Sequence, residues 1–342
     1  PCVKVLLVKT SSLGDVFHTL PAVEDAFRAI PNLEIDWVVE EGFADIPTWH
    51  PAVKRVIPVA WRRWRKNLRD SQNRAEMKAF WQTLRSQEYD CVLDAQGLIK
   101  SAVFTRMAKG PRFGLSRHSC REPLAALAYQ HPQNVEKGQH AIPRVRKLFA
   151  QSLGYELPTT DVNYGVDASR WARPDVDGDY WVFLHGTTWI TKLWPEAYWR
   201  ELAQKVADSG RKAILPWGNE EEHERAQRIA ANIPNAIVLP KMGLNALNAY
   251  LANAQAVVGV DTGLSHVVAA LAVPAVAIYG ATNATLTGVL GPAVTVMSST
   301  RSCAPCLSKT CLKPDSEAIQ PPCYRDISPE RVFTHLTALL SR

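Results

Sequence analysis

AVVGVDTGLSHVVAALAVPAVAIYG, residues 256–280, reads as strand, turn, helix and strand. Residues 256–260 are apolar and β-rich, and Asp261-Thr262-Gly263 is small and polar. Residues 264–272 repeat as a helix, which Pro274 stops before a second apolar strand at 275–279. The turn sits at a helix N-terminus. Unpaired N–H groups and the positive end of the helix dipole make such a turn an anion site, above all for phosphate. Gly263 lets backbone approach a ligand closely. An ordinary capped βαβ turn with no ligand has the same outline. His266, one turn into the helix, favours the ligand.

Working outward, the same alternation recurs. Strands are expected at 3–8, 35–39, 55–59 and 91–94, with helices at 15–30, 74–87, 98–107 and 141–153. The second half repeats the scheme with strands at 181–184, 213–216, 236–239, 256–260 and 275–279. Its helices fall at 195–209, 220–231 and 244–252. Continuous Val/Ile/Leu runs mark parallel strands buried on both faces. The fold class expected is therefore α/β, with two doubly wound Rossmann-like domains facing across a cleft. The polar stretch 167–179 reads as the linker, giving domains at 1–170 and 171–328. A final helix within 329–342 is expected to pack back on the first domain. No apolar run reaches the ~20 residues of a membrane span. The N-terminus lacks the features of a secretory signal, so a cytoplasmic protein is expected.

The net charge of +6 is uneven. Residues 171–342 are neutral, whereas residues 51–150 carry 20 Lys and Arg against 7 Asp and Glu. The centre of this excess is Trp61-Arg62-Arg63-Trp64-Arg65-Lys66. A basic run is usually a solvated face. Exposed Trp beside Arg suits instead an interface that is partly apolar and partly anionic. Nucleic acid fits the charge, and an anionic lipid fits the charge and the tryptophans together. Of seven cysteines, Cys303, Cys306, Cys311 and Cys323 are spaced C-x2-C-x4-C-x11-C. Four thiolates with that start suit a structural zinc, and free thiols are the plainer alternative.

Three strand ends carry candidate chemistry. Strand 3–8 runs into Lys9-Thr10-Ser11-Ser12-Leu13-Gly14-Asp15, which places a carboxylate where open α/β sheets bind ligands. Asp15 suits a general base, and it also suits a helix cap. The loop is neither a Walker A nor a GxGxxG turn. After strand 181–184 comes His185-Gly186-Thr187-Thr188-Trp189-Ile190-Thr191-Lys192. It offers two hydroxyls and a mobile cation to a leaving diphosphate. Lys192 is otherwise a surface lysine. After strand 213–216, a glutamate of Glu220-Glu221-Glu222 suits two ribose hydroxyls, or merely a helix start. Neither half shows a convincing paired Asp-x-Asp for a divalent ion.

KTSSLGD, WVVEEGF, Asp94-Ala95-Gln96-Gly97-Leu98, Arg121-Glu122-Pro123-Leu124-Ala125, HGTT-x3-K-x-WP and VDTGLSH occur in that order. From Val3 to Pro292 the chain resembles the lipopolysaccharide heptosyltransferases of glycosyltransferase family nine, of the kind that adds the first heptose to Kdo2-lipid A. The resemblance implies a GT-B fold, an ADP-L-glycero-D-manno-heptose donor, and inverting transfer without a metal or other cofactor. It implies Asp15 as the base, and Thr187, Thr188 and Lys192 on donor phosphates or heptose. Glu222 would hold the ribose, the Met242 backbone the adenine, Asp261 the heptose, and Thr262, Gly263 and His266 the diphosphate. Arg62, Arg63, Arg65, Lys66, Arg121 and His140 would meet the acceptor, with Ser12, Gly14 and Gln96 at its reacting end. An acceptor at the cytoplasmic face of the inner membrane implies peripheral association there. The cysteine-rich tail departs from the shorter tails of some members and resembles loops of relatives that add later heptoses. A later heptosyltransferase, a nucleotide-sugar epimerase of the same fold and a non-enzymatic nucleic-acid or lipid-binding module are the competing readings.

Overall fold

The computed structural model describes residues 2–342, which divide after Val166 into two compact units. In the first unit, β1 (Val3–Val8) leads into α1 (Leu13–Ala29), β2 (Leu33–Glu40) and β3 (Val53–Val59). The chain continues through α2 (Trp61–Trp64), α3 (Ser71–Leu84), β4 (Cys91–Asp94) and α4 (Ile99–Met107). Then come β5 (Arg112–Leu115), β6 (His131–Gln133) and α5 (Ala141–Leu153). The strands form one sheet in the order β3-β2-β1-β4-β5-β6, and every pairing is parallel. Val5, Leu6, Leu7 and Val8 of β1 are fully buried, as a central strand covered on both faces requires. One face of the sheet is closed by Trp64, Phe80, Leu84 and Phe104, packed on Leu6, Val8, Val38 and Ile57.

The second unit repeats the plan. Its elements are β7 (Tyr180–Leu184), α6 (Glu196–Asp208), β8 (Lys212–Leu215), α7 (Glu220–Ala230), β9 (Ala236–Val238) and α8 (Leu244–Ala252). They continue with β10 (Ala256–Val260), α9 (Gly263–Ala270), β11 (Ala275–Tyr279), α10 (Ala284–Thr287), β12 (Val294–Ser298) and α11 (Pro329–Leu340). The sheet order is β12-β11-β10-β7-β8-β9, again all parallel. Counted from the first strand of each unit, both sheets run 3-2-1-4-5-6. That order reverses direction beside its first strand, between β1 and β4 and between β7 and β10. Ligands of open α/β sheets bind at this reversal, outside the carboxyl ends of the strands.

Two expectations change. The sequence pattern leaves out β5, β6 and β12, which are short strands on the outer side of each sheet. β6 has three residues and contains Pro132, which only an edge strand tolerates. The final helix packs on its own unit. Val332 and Leu336 of α11 are fully buried in the second unit's core. The Phe333 ring lies 5.5 Å from that of Trp181, and Lys205 of α6 pairs with Glu330.

Candidate active site

Both reversal points carry the motifs. At the first, the carboxyl ends of β1 and β4 are tied together. The Gln96 side-chain oxygen accepts the Thr10 N–H at 2.8 Å and the Thr10 hydroxyl at 2.6 Å. Asp94 anchors the Gln96 loop from beneath. It is wholly buried and accepts from the N–H groups of Gln96 (2.8 Å) and Gly97 (3.1 Å), the Ser101 hydroxyl (2.8 Å) and the Tyr129 hydroxyl (2.5 Å). Burial nonetheless holds its pKa above the ordinary carboxylate value.

Asp15 lies in the first turn of α1. Its Oδ2 accepts the Ser12 N–H at 2.9 Å and the Ser12 hydroxyl at 3.0 Å, and Oδ1 takes neither bond. The carboxylate is thus half of a capping arrangement, as the bland reading of the sequence allows. Its electrostatics go further. Burial alone would raise its pKa, but the Lys9 charge, the two Ser12 bonds and His18 together hold it below the usual value. Asp15 is therefore kept as an anion, able to accept a proton. Lys9 was not singled out in the sequence. It is buried at the end of β1 and donates to the Ala95 carbonyl at 3.2 Å. Burial lowers its pKa, while Asp15 and Asp94 oppose that shift. A lysine closing an apolar strand was the available signal, since lysine is almost never fully buried unless paired.

The remaining expected acceptor residues differ in freedom. Gly14 shares the first turn of α1 with Asp15. His140 caps α5, its Nδ1 accepting the Ile142 N–H at 3.1 Å, and its ring stands 5.2 Å from that of His18. Arg62, Arg65, Lys66 and Arg121 are exposed. Arg63 is engaged elsewhere, by Glu41 at 3.2 Å, Glu76 at 2.5 Å and Asn73 at 3.0 Å. The tryptophans of this segment turn inward. Trp64 is 4% exposed and donates to Glu76 at 2.9 Å, and Trp61 packs edge-on against Phe104. An exposed Trp–Arg face is thus corrected to a face of arginine and lysine over a tryptophan-filled core.

At the second reversal point the loops after β7 and β10 are joined through Asp261. Its carbonyl accepts the Thr187 hydroxyl at 2.7 Å. Its Oδ2 meets Lys192 Nζ at 3.0 Å and the Thr282 hydroxyl at 2.8 Å. Lys192 Nζ also lies 4.7 Å from the centre of the Trp189 ring. Thr188 is exposed beside it. Thr262 is the N-cap of α9, Gly263 is its first residue and His266 is buried one turn in. Glu222, in the first turn of α7, accepts the Gly218 N–H at 2.7 Å. A Cβ on Gly186 would stand 2.4 Å from the other Glu222 oxygen, so that glycine makes room for the carboxylate. Met242 is half-buried in the loop between β9 and α8. Thr282 is a further contact that no sequence motif marked.

Cys303, Cys306, Cys311 and Cys323 line one cavity with Thr191 and Gly280. All four are free thiols, and burial followed by its three neighbours pushes Cys323 up to about 11. Among the described residues no three His, Cys, Asp or Glu side chains stand in an arrangement that would hold a metal ion.

Comparison with known proteins adds to this geometry. The model of glycosyltransferase family 9 (heptosyltransferase) matches residues 77–316. Lipopolysaccharide heptosyltransferase 1 of Pseudomonas aeruginosa is 52% identical over 347 residues, with 98% of each chain covered. The Escherichia coli protein of the same name is 52% identical over 290 residues, covering 84% of this chain and 91% of that one. The solved structure of E. coli heptosyltransferase WaaC with ADP-2-deoxy-2-fluoro heptose superposes with a TM-score of 0.83 at 45% identity. It covers 98% of this chain and 100% of that one.

Proposed function

The chain belongs to glycosyltransferase family 9, the heptosyltransferases, and from that premise we propose how it works. It moves L-glycero-D-manno-heptose from ADP-heptose to the Kdo of Kdo2-lipid A, in lipopolysaccharide core synthesis. The first unit binds the acceptor and the second binds the donor. An acceptor hydroxyl gives its proton to the Asp15 carboxylate and attacks the anomeric carbon of the heptose. The bond from that carbon to the diphosphate oxygen breaks, and configuration inverts. ADP leaves with the added charge, which Lys192 and the N–H groups opening α9 neutralise. Lys192 Nζ stands 3.0 Å from Asp261 Oδ2, so its ammonium lies beside the carboxylate that takes the heptose. Glu222 receives the ribose, the Met242 backbone the adenine, Asp261 the heptose hydroxyls, and Thr187, Thr188 and His266 the phosphate end. Arg62, Arg65, Lys66, Arg121 and His140 hold the anionic acceptor, with Ser12 and Gln96 near its reacting hydroxyl. Arg63, tied to Glu41 and Glu76, supports that segment.

The observation that carries this reading is the half-buried Asp15 carboxylate, fixed by Ser12 at the reversal point of the first sheet and held below its usual pKa by the Lys9 charge. The test is incubation with ADP-heptose alone, with Kdo2-lipid A, and with an acceptor that already carries its first heptose. ADP release and one heptose of added glycolipid mass are expected with Kdo2-lipid A only. Transfer only to the heptosylated acceptor would assign a later step, and donor turnover without any acceptor would assign an epimerase or hydrolase. EDTA should leave the rate unchanged, and inhibition reversed by Mg²⁺ would contradict metal-independent transfer.

A further inference from the structure

Ile99, Val103 and Met107 recur at every fourth residue of α4 and are 49%, 47% and 38% exposed. This spacing places them in one stripe. Beside α4, the 3-10 turn Pro123–Ala128 exposes Leu124 at 67% and Leu127 at 84%. The two segments pack together through their other sides. Ala102, Ala125 and Tyr129 form a small buried cluster, with Ala126 and Ala128 against it. The outward faces therefore make one apolar surface of five large side chains. Single exposed apolar residues are ordinary, but a contiguous group marks an interaction site.

The surface is rimmed by positive charge. At the start of α4, Lys100 stands close enough to Arg62 and Arg65 to feel their charge. At its other end Arg106 does the same to Arg112. From Gly97 to Leu127 the chain carries six Lys and Arg against one acid, Glu122, which accepts the Ile99 N–H at 2.6 Å. The patch also begins where the reacting end of the acceptor site stops. Ile99 directly follows the Asp94–Leu98 loop, whose Gln96 holds Thr10.

We propose that this face of the first unit docks on an anionic lipid bilayer. Ile99, Val103, Met107, Leu124 and Leu127 enter the acyl boundary, and the basic rim meets headgroup phosphates. A second copy of the chain is the poorer occupant, because it would set two positive rims against each other. No helix among the described residues is long and apolar enough to cross a membrane. The inference rests on the reading of a lipid-borne acceptor. Docked this way, the protein would receive that acceptor from the plane of the bilayer, at the edge of the Asp15 loop.

The experiment uses the full chain and acceptor-free vesicles, either of phosphatidylcholine or of phosphatidylcholine mixed with phosphatidylglycerol. The wild type should co-sediment with the anionic vesicles, and added salt should weaken binding. The double variant Leu124→Ser, Leu127→Ser should partition at least about tenfold more weakly, since two apolar side chains no longer enter. It should melt like the wild type. A matched variant of two exposed leucines in the second unit, Leu307→Ser with Leu312→Ser, should bind like the wild type. No binding by the wild type, equal binding by the two wild-type-like proteins and the patch variant, or a wild-type dimer in solution that the patch variant abolishes would each overturn the proposal. Heptose transfer to a deacylated, water-soluble acceptor should be unchanged in the patch variant. That arm fails alone if the functional reading is wrong, while the vesicle arm still decides the docking surface.

Discussion

Asp15 occupies a position where the first helix would welcome a carboxylate even in a protein without a substrate. The structure shows the capping use, in a charge environment that the proposed base would need. Oδ2 closes the helix start on Ser12, and the Lys9 charge holds the group ionised. A folded-state pKa below the unfolded value means that the anion adds stability above the unfolded pKa, and that this is lost as pH falls through the folded one. The same sign governs catalysis. Activity limited by Asp15 should persist as pH falls through the ordinary carboxylate value of 3.8 and decline only below it. Lys9→Met removes the largest influence that lowers this pKa while leaving the burial that raises it. The acid limb of kcat/KM should then move up toward neutral. A Lys9 with only a packing role would reduce activity equally at every pH and leave the limb in place, so the pH profile distinguishes the two. Sequence pattern located Asp15 because strand-to-helix turns are legible. It passed over Lys9, because burial of a lysine depends on what the rest of the sheet covers.

At the scale of elements, the tail after β12 clamps the loop that carries Lys192. The Tyr324 hydroxyl donates to the Thr191 carbonyl at 2.5 Å, the Thr191 hydroxyl to the Ser308 carbonyl at 2.5 Å, and Trp194 Nε1 to the Ile327 carbonyl at 3.0 Å. These bonds flank Lys192 on both sides and fix where its side chain starts. Gly280 leaves the space that the Tyr324 ring fills, a Cβ there lying 2.5 Å from it. Tyr324→Phe keeps the ring and removes the hydroxyl, leaving a buried carbonyl unpaired. That should cost about 1–3 kcal/mol in unfolding free energy. It should also weaken ADP binding several-fold by loosening the loop, as calorimetry would show. Unchanged ADP affinity with lowered stability would make the tail a brace for the fold only. None of this was readable in the tail's sequence, which has no periodicity and acts through bonds to residues more than 100 positions away. The WRRWRK segment was misread for a related reason. Its tryptophans face inward because α2 lies across a core that Phe80 and Phe104 complete, and neither is a sequence neighbour.

At the scale of the whole chain, two sheets of the same 3-2-1-4-5-6 order account for why every strong motif follows a strand. The buried central strands announced themselves as unbroken apolar runs. β5, β6 and β12 did not, and β6, at the edge, needs little apolar sequence and borrows its register from its neighbour. The residues proposed for donor and acceptor were legible only as classes of chemistry at strand ends. The contacts that fix them, Thr282 on Asp261 and Thr10 on Gln96, span 21 and 86 positions and became visible only in the fold. The central claim is that the first unit supplies the base and the second holds the nucleotide. It is tested most directly by Asp15→Ala, with turnover on Kdo2-lipid A and ADP affinity measured on the same preparation. General-base assistance is typically worth about 10²–10⁴ in rate, so turnover should fall by that factor while ADP affinity stays within about twofold, as for independent sites. Near-normal turnover would reduce Asp15 to a helix cap, and an equal loss of ADP affinity would place it in the donor site; either result would contradict the account.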